Sequence, residues 1–408
     1  MASTYLTRSL SSTSTSWTIS LWVKRSLISS NQYIISWGSS GSTSNGIGFS
    51  GADLFQYFSE ATSSNPASSA VYRDTNGWYH LVVKNNAGTI TLYVNGEAIT
   101  TTGGTSGSAL SSSTFTIGRW TTGAYSFNGS MSHVHLTDGT AYDATAFGQY
   151  DANGVWTIKT SPSVTYGTNG FFILKDGNSV TDQSGEGNDF TVAGGTLTNT
   201  EDSPSNVFAT MNPLFAGDAN ITYSNGNLKL TSTSEAQKNA VSTMAVSSGK
   251  WYCEMVSRTG TNYPGFGIMD SQSILQTSVS YLGSSIDSYC MFQQGDYYNN
   301  GSASSTGITW GVGSIMGIAI DLDSATKTIK FYKDGAEVHS ATIATPANGY
   351  VFAASHNTNG TISEINFGNG YFGTTAVTDA GINASGIGIF EYDVPTGYTA
   401  LSTKGLNL

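Results

Sequence analysis

Two pairs of closely spaced carboxylates in this sequence are candidates for catalysis or metal binding. Glu391 and Asp393 stand two positions apart, as do Asp321 and Asp323, so each pair would share one face of a β-strand. Two neighbouring acids could hydrolyse a glycosidic bond or, at Asp321 and Asp323, hold a hard cation. No E-x-D-x-E pattern extends either pair, and polar alternation alone places acids on solvent-facing strands. We therefore predict that the protein is not an enzyme and has no catalytic residues.

An oxygen-rich turn is the second candidate for chemistry. The segment DQSGEGND contains Asp182, Asn188 and Asp189 among glycines and a serine. Carboxylate and amide oxygens are the ligands that calcium prefers. The same residue types in a Gly-rich turn also close Asx-turns without a metal. Asp182, Asn188 and Asp189 are thus candidate calcium ligands, with a hydrogen-bonded turn as the alternative.

His133 and His135 have the spacing of neighbours on one strand face and could chelate a transition metal. No Cys or carboxylate cluster accompanies them, so we expect packed or solvent-facing histidines. A G-x-S-x-G nucleophile elbow is absent from the sequence, as is a phosphate-binding loop. These absences favour a binding function over catalysis.

Four aromatic residues are the strongest candidates for ligand binding. Trp120 and Tyr125 lie in RWTTGAYSF, and Tyr297 and Tyr298 lie in QQGDYYNNGS, in both cases among turn residues. Aromatic rings can stack on sugars or anchor protein interfaces, and loops on a rigid scaffold concentrate binding residues. The alternative is that these rings cover the ends of the fold or form contacts between subunits.

The elements that must position these residues are short β-strands. In the segment from Gly311 to Val338, apolar residues alternate with polar or small ones, and Asp334-Gly335 supplies a tight hairpin turn. The segment from Gly77 to Ile99 repeats this pattern and closes on Asn95-Gly96. A chain of 408 residues exceeds one ordinary core. We therefore predict an all-β protein of two tandem antiparallel β-sandwiches.

Composition excludes several classes of function. Only 11% of the residues are charged and the net charge is −11, whereas nucleic-acid binding needs clustered Lys and Arg. No stretch has the ~20 apolar residues of a membrane span. The two cysteines, Cys253 and Cys290, lie in strand-like segments, and we expect buried thiols rather than a disulfide.

The first third of the sequence resembles the laminin-G/concanavalin A-like jelly roll. The resemblance covers residues 1–145 and rests on an ordered set of motifs, namely Trp78, His80 and Leu81, then Leu92 to Gly96, Ile117-Gly118, and Phe127 to Met131. The turn from Asp182 to Asn188 is similar to one found near the ends of such domains. The resemblance implies two stacked sheets, often with a sugar- or calcium-binding edge, and we assign residues 1–202 to this domain.

The second half of the sequence resembles the SPRY (B30.2-type) domain. Five ordered motifs carry the resemblance, namely Gly249 to Glu254, Gly265 to Gly267, Gly317 to Asp323, Phe331 to Gly335 and Ile365 to Gly368. SPRY domains are two-sheet sandwiches whose loops bind partners, mostly peptides or proteins. We assign residues 214–408 to a SPRY-like sandwich with a C-terminal extension, and residues 203–213 to a linker.

The combination of these halves, with SPSNVFATMNP between them and YDVPTGYTAL near the end, resembles virion proteins of marine tailed phages. The resemblance implies a non-enzymatic virion surface protein: a capsid decoration, fibre or tail-associated adhesion module whose loops bind a host glycan or protein. We expect other virion proteins as partners and a homo-oligomer. A virion cementing or assembly protein is the alternative, and a glycoside hydrolase is the third function considered. The N-terminal sequence lacks the apolar segment of a secretory signal, which agrees with synthesis in the host cytoplasm before assembly.

Overall fold

A computed structural model describes residues 4–39, 43–60, 65–175, 177, 179–215, 220–259, 264–272 and 281–408. The chain divides into two units, Met1–Asn199 and Thr200–Leu408. Strands dominate both units, and no helix among the described residues has the length and apolar character needed to cross a membrane.

The described residues of the first unit form 16 strands and one short 3₁₀ helix, Ala144–Ala146. The strands are β1 (Tyr5–Ser9), β2 (Trp17–Arg25), β3 (Gln32–Trp37), β4 (Asn45–Phe49), β5 (Leu54–Ser59), β6 (Ala67–Val71), β7 (Trp78–Asn86), β8 (Thr89–Val94), β9 (Glu97–Ala98), β10 (Thr101–Thr102), β11 (Thr114–Ile117), β12 (Gly129–Asp138), β13 (Gly148–Tyr150), β14 (Trp156–Ile158), β15 (Phe171–Ile173) and β16 (Thr191–Gly194).

These strands form two stacked antiparallel sheets. One sheet has the order β10-β6-β5-β4-β3-β11-β1-β16, the other has the order β15-β12-β2-β7-β8-β9, and β13 and β14 form a separate hairpin. Strand β2 shows why the sheets stack. Its residues Trp17, Ile19 and Leu21 alternate into a core lined by both sheets, as the apolar period of the sequence predicts.

The opposite face of β2 is also buried, which the sequence pattern does not indicate. Ser20 and Trp22 point away from the core but are 0% and 5% exposed. The segment that follows β12 covers this face, where Trp156 packs near Val82 of β7. One side of the six-stranded sheet therefore faces the core, and the other faces a covering segment of the same chain.

The described residues of the second unit form another 16 strands and a 3₁₀ helix, Gly405–Asn407. The strands are β17 (Ile221–Ser224), β18 (Lys229–Ser232), β19 (Lys238–Val241), β20 (Lys250–Thr259), β21 (Gly265–Asp270), β22 (Ser288–Phe292), β23 (Asp296–Asn299), β24 (Ser302–Ser305), β25 (Ile315–Asp321), β26 (Thr328–Lys333), β27 (Ala336–Thr342), β28 (Tyr350–His356), β29 (Ile362–Asn366), β30 (Tyr371–Phe372), β31 (Thr375–Ala376) and β32 (Thr399–Ala400).

The second unit is also a two-sheet sandwich. One sheet has the order β17-β18-β29-β20-β25-β26-β27, with β32 paired to β20, and the other has the order β19-β28-β21-β22-β23-β24. The main core lies between the sheets. Phe390, Val394 and Tyr398 of the C-terminal tail cover the outer side of the first sheet against Tyr252. Cys253 and Cys290 are both free and buried, as expected from their strand-like surroundings.

Both predicted meanders are present, and the all-β, two-sandwich fold is confirmed. The first meander comprises β7, β8 and β9, and the second comprises β25, β26 and β27. Asn95 and Asp334 adopt φ angles of 50° and 48°, and the glycine after each is also in the left-handed region. These are the angles that a two-residue hairpin turn requires.

The segment predicted as a linker, residues 203–213, lies within the second unit. Phe208 and Met211 are 1% and 0% exposed. The Ala209 N–H donates to Leu401 O at 2.9 Å, and Phe208 forms a β-bridge with Ser402. The division between the units falls between Asn199 and Thr200. Residues 203–213 therefore pack as part of the second sandwich and do not form a linker.

Candidate functional site

Tyr297 and Tyr298 lie on strand β23, although the sequence places them among turn residues. Because successive residues of a strand point to opposite faces, the two rings separate. Tyr297 packs toward the core, with its ring centroid 4.6 Å from that of His339, and Tyr298 faces the outer side of the sheet. The sequence signal that indicates this strand is Asn300-Gly301, a hairpin turn directly after β23 with φ angles of 50° and 72°.

The Tyr298 ring forms one wall of a cleft on the outer side of the six-stranded sheet. Its centroid lies 5.5 Å from that of Tyr281, at an interplanar angle of 82°, and 5.2 Å from that of Phe292, at 77°. The cleft has a volume of about 290 Å³. We call it the aromatic cleft, and the described residues that line it are Gln237, Tyr281, Phe292, Gln294, Tyr298 and Asn357.

Strand pairing brings the polar residues of the aromatic cleft together from distant parts of the chain. Gln237 immediately precedes β19 and Asn357 immediately follows β28, and these strands pair so that Lys238 is opposite His356. Gln294 follows β22, which ends at Phe292. The three amides therefore meet at one end of the sheet, where β19 begins and β22 and β28 end.

One amide oxygen in the aromatic cleft has no internal partner. Gln294 Oε1 is buried and accepts no hydrogen bond from the described residues. A buried acceptor without a donor destabilises a folded protein by roughly 1–3 kcal/mol. The sequence contains no signal that could have identified this atom.

The other predicted aromatic pair, Trp120 and Tyr125, belongs to a cluster on the outer face of the eight-stranded sheet of the first unit. We call this cluster the aromatic patch, and it comprises Tyr33, Phe58, Trp120 and Tyr125. The Trp120 centroid lies 4.4 Å from that of Tyr33 and 5.5 Å from that of Phe58. The rings of Tyr33 and Tyr125 are 6.2 Å apart. The patch thus joins two predicted residues to two that the sequence pattern did not indicate.

Exposure divides the aromatic patch into a packing part and a surface part. Trp120 is 7% exposed, and its ring lies so close to Gly46 of β4 that a Cβ at Gly46 would be 2.5 Å from it. Burial raises the pKa of Tyr33 to about 12. Tyr125 is 55% exposed. Trp120 therefore packs against the sheet, and Tyr125 presents its ring to solvent.

The predicted calcium turn is closed by hydrogen bonds. Asp182 Oδ1 accepts from the N–H groups of Phe172 and Ser184 at 2.8 and 2.9 Å, and Asp182 Oδ2 accepts from Ser184 Oγ at 2.7 Å and Asn188 N at 2.9 Å. Burial by itself would raise the pKa of Asp182, but these bonds lower it below the ordinary value. Both carboxylate oxygens face N–H and O–H donors.

The remaining predicted ligands of this turn have similar roles. Asn188 Oδ1 accepts from the Arg8 guanidinium, and Asp189 Oδ1 accepts from Asp182 N at 2.7 Å. No cluster of three or more His, Cys, Asp or Glu able to hold a metal occurs in the described parts of the chain. These contacts do not fit a calcium ion, and they match the Asx-turn alternative.

His133 and His135 are separated by a β-bulge in β12. The pairing of β12 with β2 shifts register between Ser132 and His135, and His133 has a φ of 49°. His133 Nδ1 contacts Ser132 Oγ at 2.8 Å, whereas His135 Nδ1 contacts Tyr166 Oη at 3.0 Å. Each histidine therefore contacts a different hydroxyl group. The bulge also disrupts the regular strand alternation that would place both histidines on one face to chelate a metal.

The two carboxylate pairs make structural contacts. Glu391 accepts from Thr378 N and Oγ1 at 3.0 and 2.7 Å, and Asp393 accepts from Ile382 N at 2.7 Å. Asp321 forms an ion pair with Lys250 at 2.9 Å, and Asp323 accepts from Gly249 N at 2.7 Å. All four acids therefore form hydrogen bonds or ion pairs that stabilise turns and tail segments of the second unit.

A buried Ser–His contact in the first unit resembles part of a nucleophilic site but has the wrong proton arrangement. Ser20 Oγ lies 2.8 Å from His80 Nε2, and Trp156 Nε1 donates to His80 Nδ1 at 3.0 Å. Since an indole N–H only donates, Nδ1 is the acceptor and the neutral imidazole carries its proton on Nε2. That proton points to Ser20, so His80 cannot receive the serine proton. Burial also lowers the pKa of His80 to about 3.

The protein belongs to the all-β class and consists of antiparallel β-sandwiches. Within it, residues 2–145 match the model of the concanavalin A-like lectin/glucanases superfamily. This fold contains both binding proteins and enzymes and is compatible with a binding module. A search of curated protein sequences finds no significant match.

Parts of the chain are also similar to solved structures. A human SPRY domain has a TM-score of 0.31 at 19% identity, covering 36% of this chain and 94% of that one. The SPRY domain of human HERC1 has a TM-score of 0.31 at 17% identity, covering 38% and 96%. A heptameric pentraxin of Limulus polyphemus has a TM-score of 0.28 at 18% identity, covering 34% and 70%.

Proposed function

We propose that this chain is a non-enzymatic surface protein of a tailed-phage virion, acting as a capsid decoration, fibre or tail-associated adhesion module. It binds a glycan or protein of the host through surfaces carried by its two sandwiches. The sequence resemblance to virion proteins of marine tailed phages supports the location. Synthesis in the host cytoplasm, assembly with other virion proteins and a homo-oligomeric state belong to the same proposal.

The observation that carries the binding function is the aromatic cleft. A concave surface with aromatic walls and a few polar groups is the usual form of a small-ligand site. Three rings and three amides meet there, and the Gln294 amide oxygen has no donor among the described residues. Many copies on one particle would convert weak contacts at such clefts into strong attachment, because each binding event after the first is intramolecular.

Whole-cell binding tests this function. The purified full-length protein, displayed at multivalent density on beads, is expected to bind cells of a susceptible bacterial host and arrayed glycans or host proteins. Beads that carry bovine serum albumin are the control. Absence of binding to cells and to the array at the same density would contradict adhesion.

The alternative function is virion cementing or assembly, in which the same surfaces bind other phage subunits. A reconstruction of the virion separates the two functions. The adhesion proposal expects the aromatic cleft to face solvent on the particle. Burial of the aromatic cleft and the aromatic patch against neighbouring virion proteins would favour cementing.

The third function, glycoside hydrolysis, has weaker physical support. The carboxylates that share strand spacing hold turns, and the Ser20–His80 contact is buried with its proton directed to the serine. We expect no sugar release from algal or bacterial polysaccharides. Sugar release that disappears in Glu391→Gln or Asp393→Asn would establish an enzyme instead.

A further inference from the structure

Two buried histidines contact the segment that covers the outer face of the six-stranded sheet in the first unit. We call this segment, residues 139–170, the strap, and it connects the end of β12 to the start of β15. Its strands β13 and β14 form a hairpin of their own outside the two main sheets. His80 of β7 is 0% exposed and His135 of β12 is 2% exposed. Side chains of the sheet therefore attach this hairpin and the rest of the strap.

The first attachment joins His80 to Trp156 of β14. The His80 ring stacks near two indoles, with its centroid 4.9 Å from that of Trp22 and 5.8 Å from that of Trp156. Trp156 Nε1 donates to His80 Nδ1 at 3.0 Å. A Cβ at Gly96 or Gly148 would lie 2.5 or 2.4 Å from the Trp156 ring, so the indole packs directly on two glycine backbones. This fitted contact requires His80 Nδ1 to be an acceptor, because an indole N–H only donates.

The second attachment joins His135 to two rings of the strap. His135 Nδ1 lies 3.0 Å from Tyr166 Oη, and its ring centroid lies 5.1 Å from that of Phe147. The groups whose charges act on His135 are His133, His80 and Lys175, each of which disfavours a positive charge there. Burial also lowers the pKa of His80 to about 3 and lowers that of His135. Both imidazoles are therefore neutral while the strap is closed at neutral pH.

The acid nearest these attachments is already paired. Asp143 of the strap accepts from Lys84 and from Tyr93 Oη, and these bonds lower its pKa below the ordinary value. Asp143 therefore stays ionised from pH 7 to pH 5 and holds one end of the strap throughout. The other titratable groups on this face, on the strap or beside it are Lys24, Glu97, Asp138, Tyr142, Tyr150, Asp151, Lys159, Tyr166 and Asp182.

Protonation of His80 opposes the closed strap. A protonated imidazole donates at both nitrogens, so its Nδ1–H would face the Trp156 N–H, and the buried charge would lose its hydration. Opening of the strap hydrates the ring and restores a pKa near 6.5. Since the closed-state pKa is the lower one, the closed strap is favoured above pH 6.5 and loses stability as the pH falls. Through His80 alone, acidification from pH 7 to pH 5 favours the open strap about twenty-five-fold.

We infer that the strap is an acid-released cover of the first sandwich. At neutral pH it lies on the outer face of the six-stranded sheet, and acidification to pH 5 opens it while the core between the sheets stays folded. Opening exposes Trp22, Val82 and Tyr93, which are 5%, 0% and 9% exposed under the closed strap. The strap thus controls access to an aromatic face of the first unit, which is a role separate from the proposed adhesion through the aromatic cleft.

Hydrogen-exchange mass spectrometry of the full-length protein at pH 7 and pH 5 tests the inference. A short two-stranded hairpin is at best marginally stable in water, so the amides of β13 and β14 exchange when the strap opens. After correction for the intrinsic pH dependence of exchange, we expect peptides of β14 to exchange about twenty-five-fold faster or more at pH 5. Peptides of β3, which lies in the other sheet, should change much less.

Two substitutions test the histidines themselves. His80→Gln keeps an acceptor for Trp156 Nε1 and a donor for Ser20 but does not titrate, so it is expected to reduce the acid-dependent increase at β14 about twenty-five-fold. His135→Gln is an independent variant with the same expected direction. Near-UV circular dichroism at pH 7 checks that each variant is folded.

His356→Gln is the matched control, since His356 is a buried histidine of the second unit that also contacts a serine, with Nε2 2.7 Å from Ser363 Oγ. Its strap should respond to pH as in the wild type. An acid response that survives in both His80→Gln and His135→Gln would overturn the inference. Equal acceleration of β14 and β3 in the wild type would also overturn it, because the whole unit would then unfold and no local release would occur.

Discussion

The aromatic patch of the first unit and the aromatic cleft of the second contain similar sets of rings in different surroundings. In the patch, Trp120 is 7% exposed and packs against Gly46, and only Tyr125 is mainly exposed. In the cleft, Tyr298 stands beside a cavity of about 290 Å³ with amides at its rim. Aromatic content alone therefore does not mark a binding surface. Concavity distinguishes the cleft from the patch.

The largest expected effect follows from removal of the central ring of the patch. Trp120→Ala should lower the free energy of unfolding of the first unit by about 3 kcal/mol or more, because a buried tryptophan leaves a cavity that the strands cannot fill. Urea titration, monitored by hydrogen-exchange mass spectrometry, measures the free energy of unfolding of each unit separately. Tyr298→Ala is the comparison, with a smaller loss confined to the second unit. Equal losses in the two variants would mean that patch and cleft are both packing clusters.

Acidification should distinguish the two units through their buried titratable groups. In the first unit, burial lowers the pKa of His80 from 6.5 to about 3 and also lowers that of His135. The unfolded chain therefore binds protons more readily below pH 6.5. Stability that is present above that pH is lost as the pH falls, by about 2 kcal/mol for His80 between pH 7 and pH 5. The contribution of His135 has the same sign.

In the second unit the buried histidines and one buried carboxyl group have opposite effects over the same range. Burial lowers the pKa of His356 to about 4 and also lowers that of His339, so both histidines lose stability on acidification. Burial raises the pKa of Glu254 from 4.5 to about 7, although its carboxylate accepts the N–H groups of Glu391 and Tyr392 at 2.9 Å. A raised carboxyl pKa contributes stability that is present below pH 4.5 and lost as the pH rises through about 7.

We therefore expect the first unit to lose more stability than the second between pH 7 and pH 5. Hydrogen exchange of peptides from β7 and β20, corrected for the intrinsic pH dependence of exchange, measures the difference. Glu254→Gln removes the compensating group and should make the second unit acid-sensitive as well. An equal response of the two units in the wild type would show that these buried groups do not control their acid stability.

The smallest effect is expected at the surface of the patch. Tyr125→Ala should change the free energy of unfolding of the first unit by less than about 0.5 kcal/mol, because surface substitutions away from packed or strained features have small effects. Tyr125 has a φ of 53°, and alanine carries a similar backbone penalty there. Thermal unfolding of the full chain measures the change. A loss as large as that of Trp120→Ala would show that the exposed ring contributes to packing.

Local sequence patterns predicted much of the fold. The alternation around Met316 and Ile318 and the turn at Asp334-Gly335 correspond to β25, β26 and β27, because both depend only on neighbours in the chain. The same rule applied to Asn300-Gly301 would have placed Tyr297 and Tyr298 on a strand. The burial of both faces of β2 could not be predicted this way, since the segment that contains Trp156 covers it from more than a hundred positions away.

The candidate site was predicted only in part. Tyr298 was identified from its residue type, and the amides around it were not, because glutamine and asparagine are common on any protein surface. The acids of the DQSGEGND turn have the composition of a calcium site, yet hydrogen bonds from Phe172 and Ser184 occupy Asp182. Residue type indicates which contacts are chemically feasible, and the surrounding backbone determines which of them form.

Local residue patterns were sufficient to predict the all-β class, the strand period and the hairpin turns, since these follow from local φ angles and the alternation of side chains. The residues that contact one another across the fold could be identified only from the three-dimensional structure. The pairing of β19 with β28 brings Gln237 beside Asn357, and the turn after Tyr298 directs that ring to the outer face of the sheet. Such contacts depend on strand order and register, which are properties of the whole sandwich and not of any short segment.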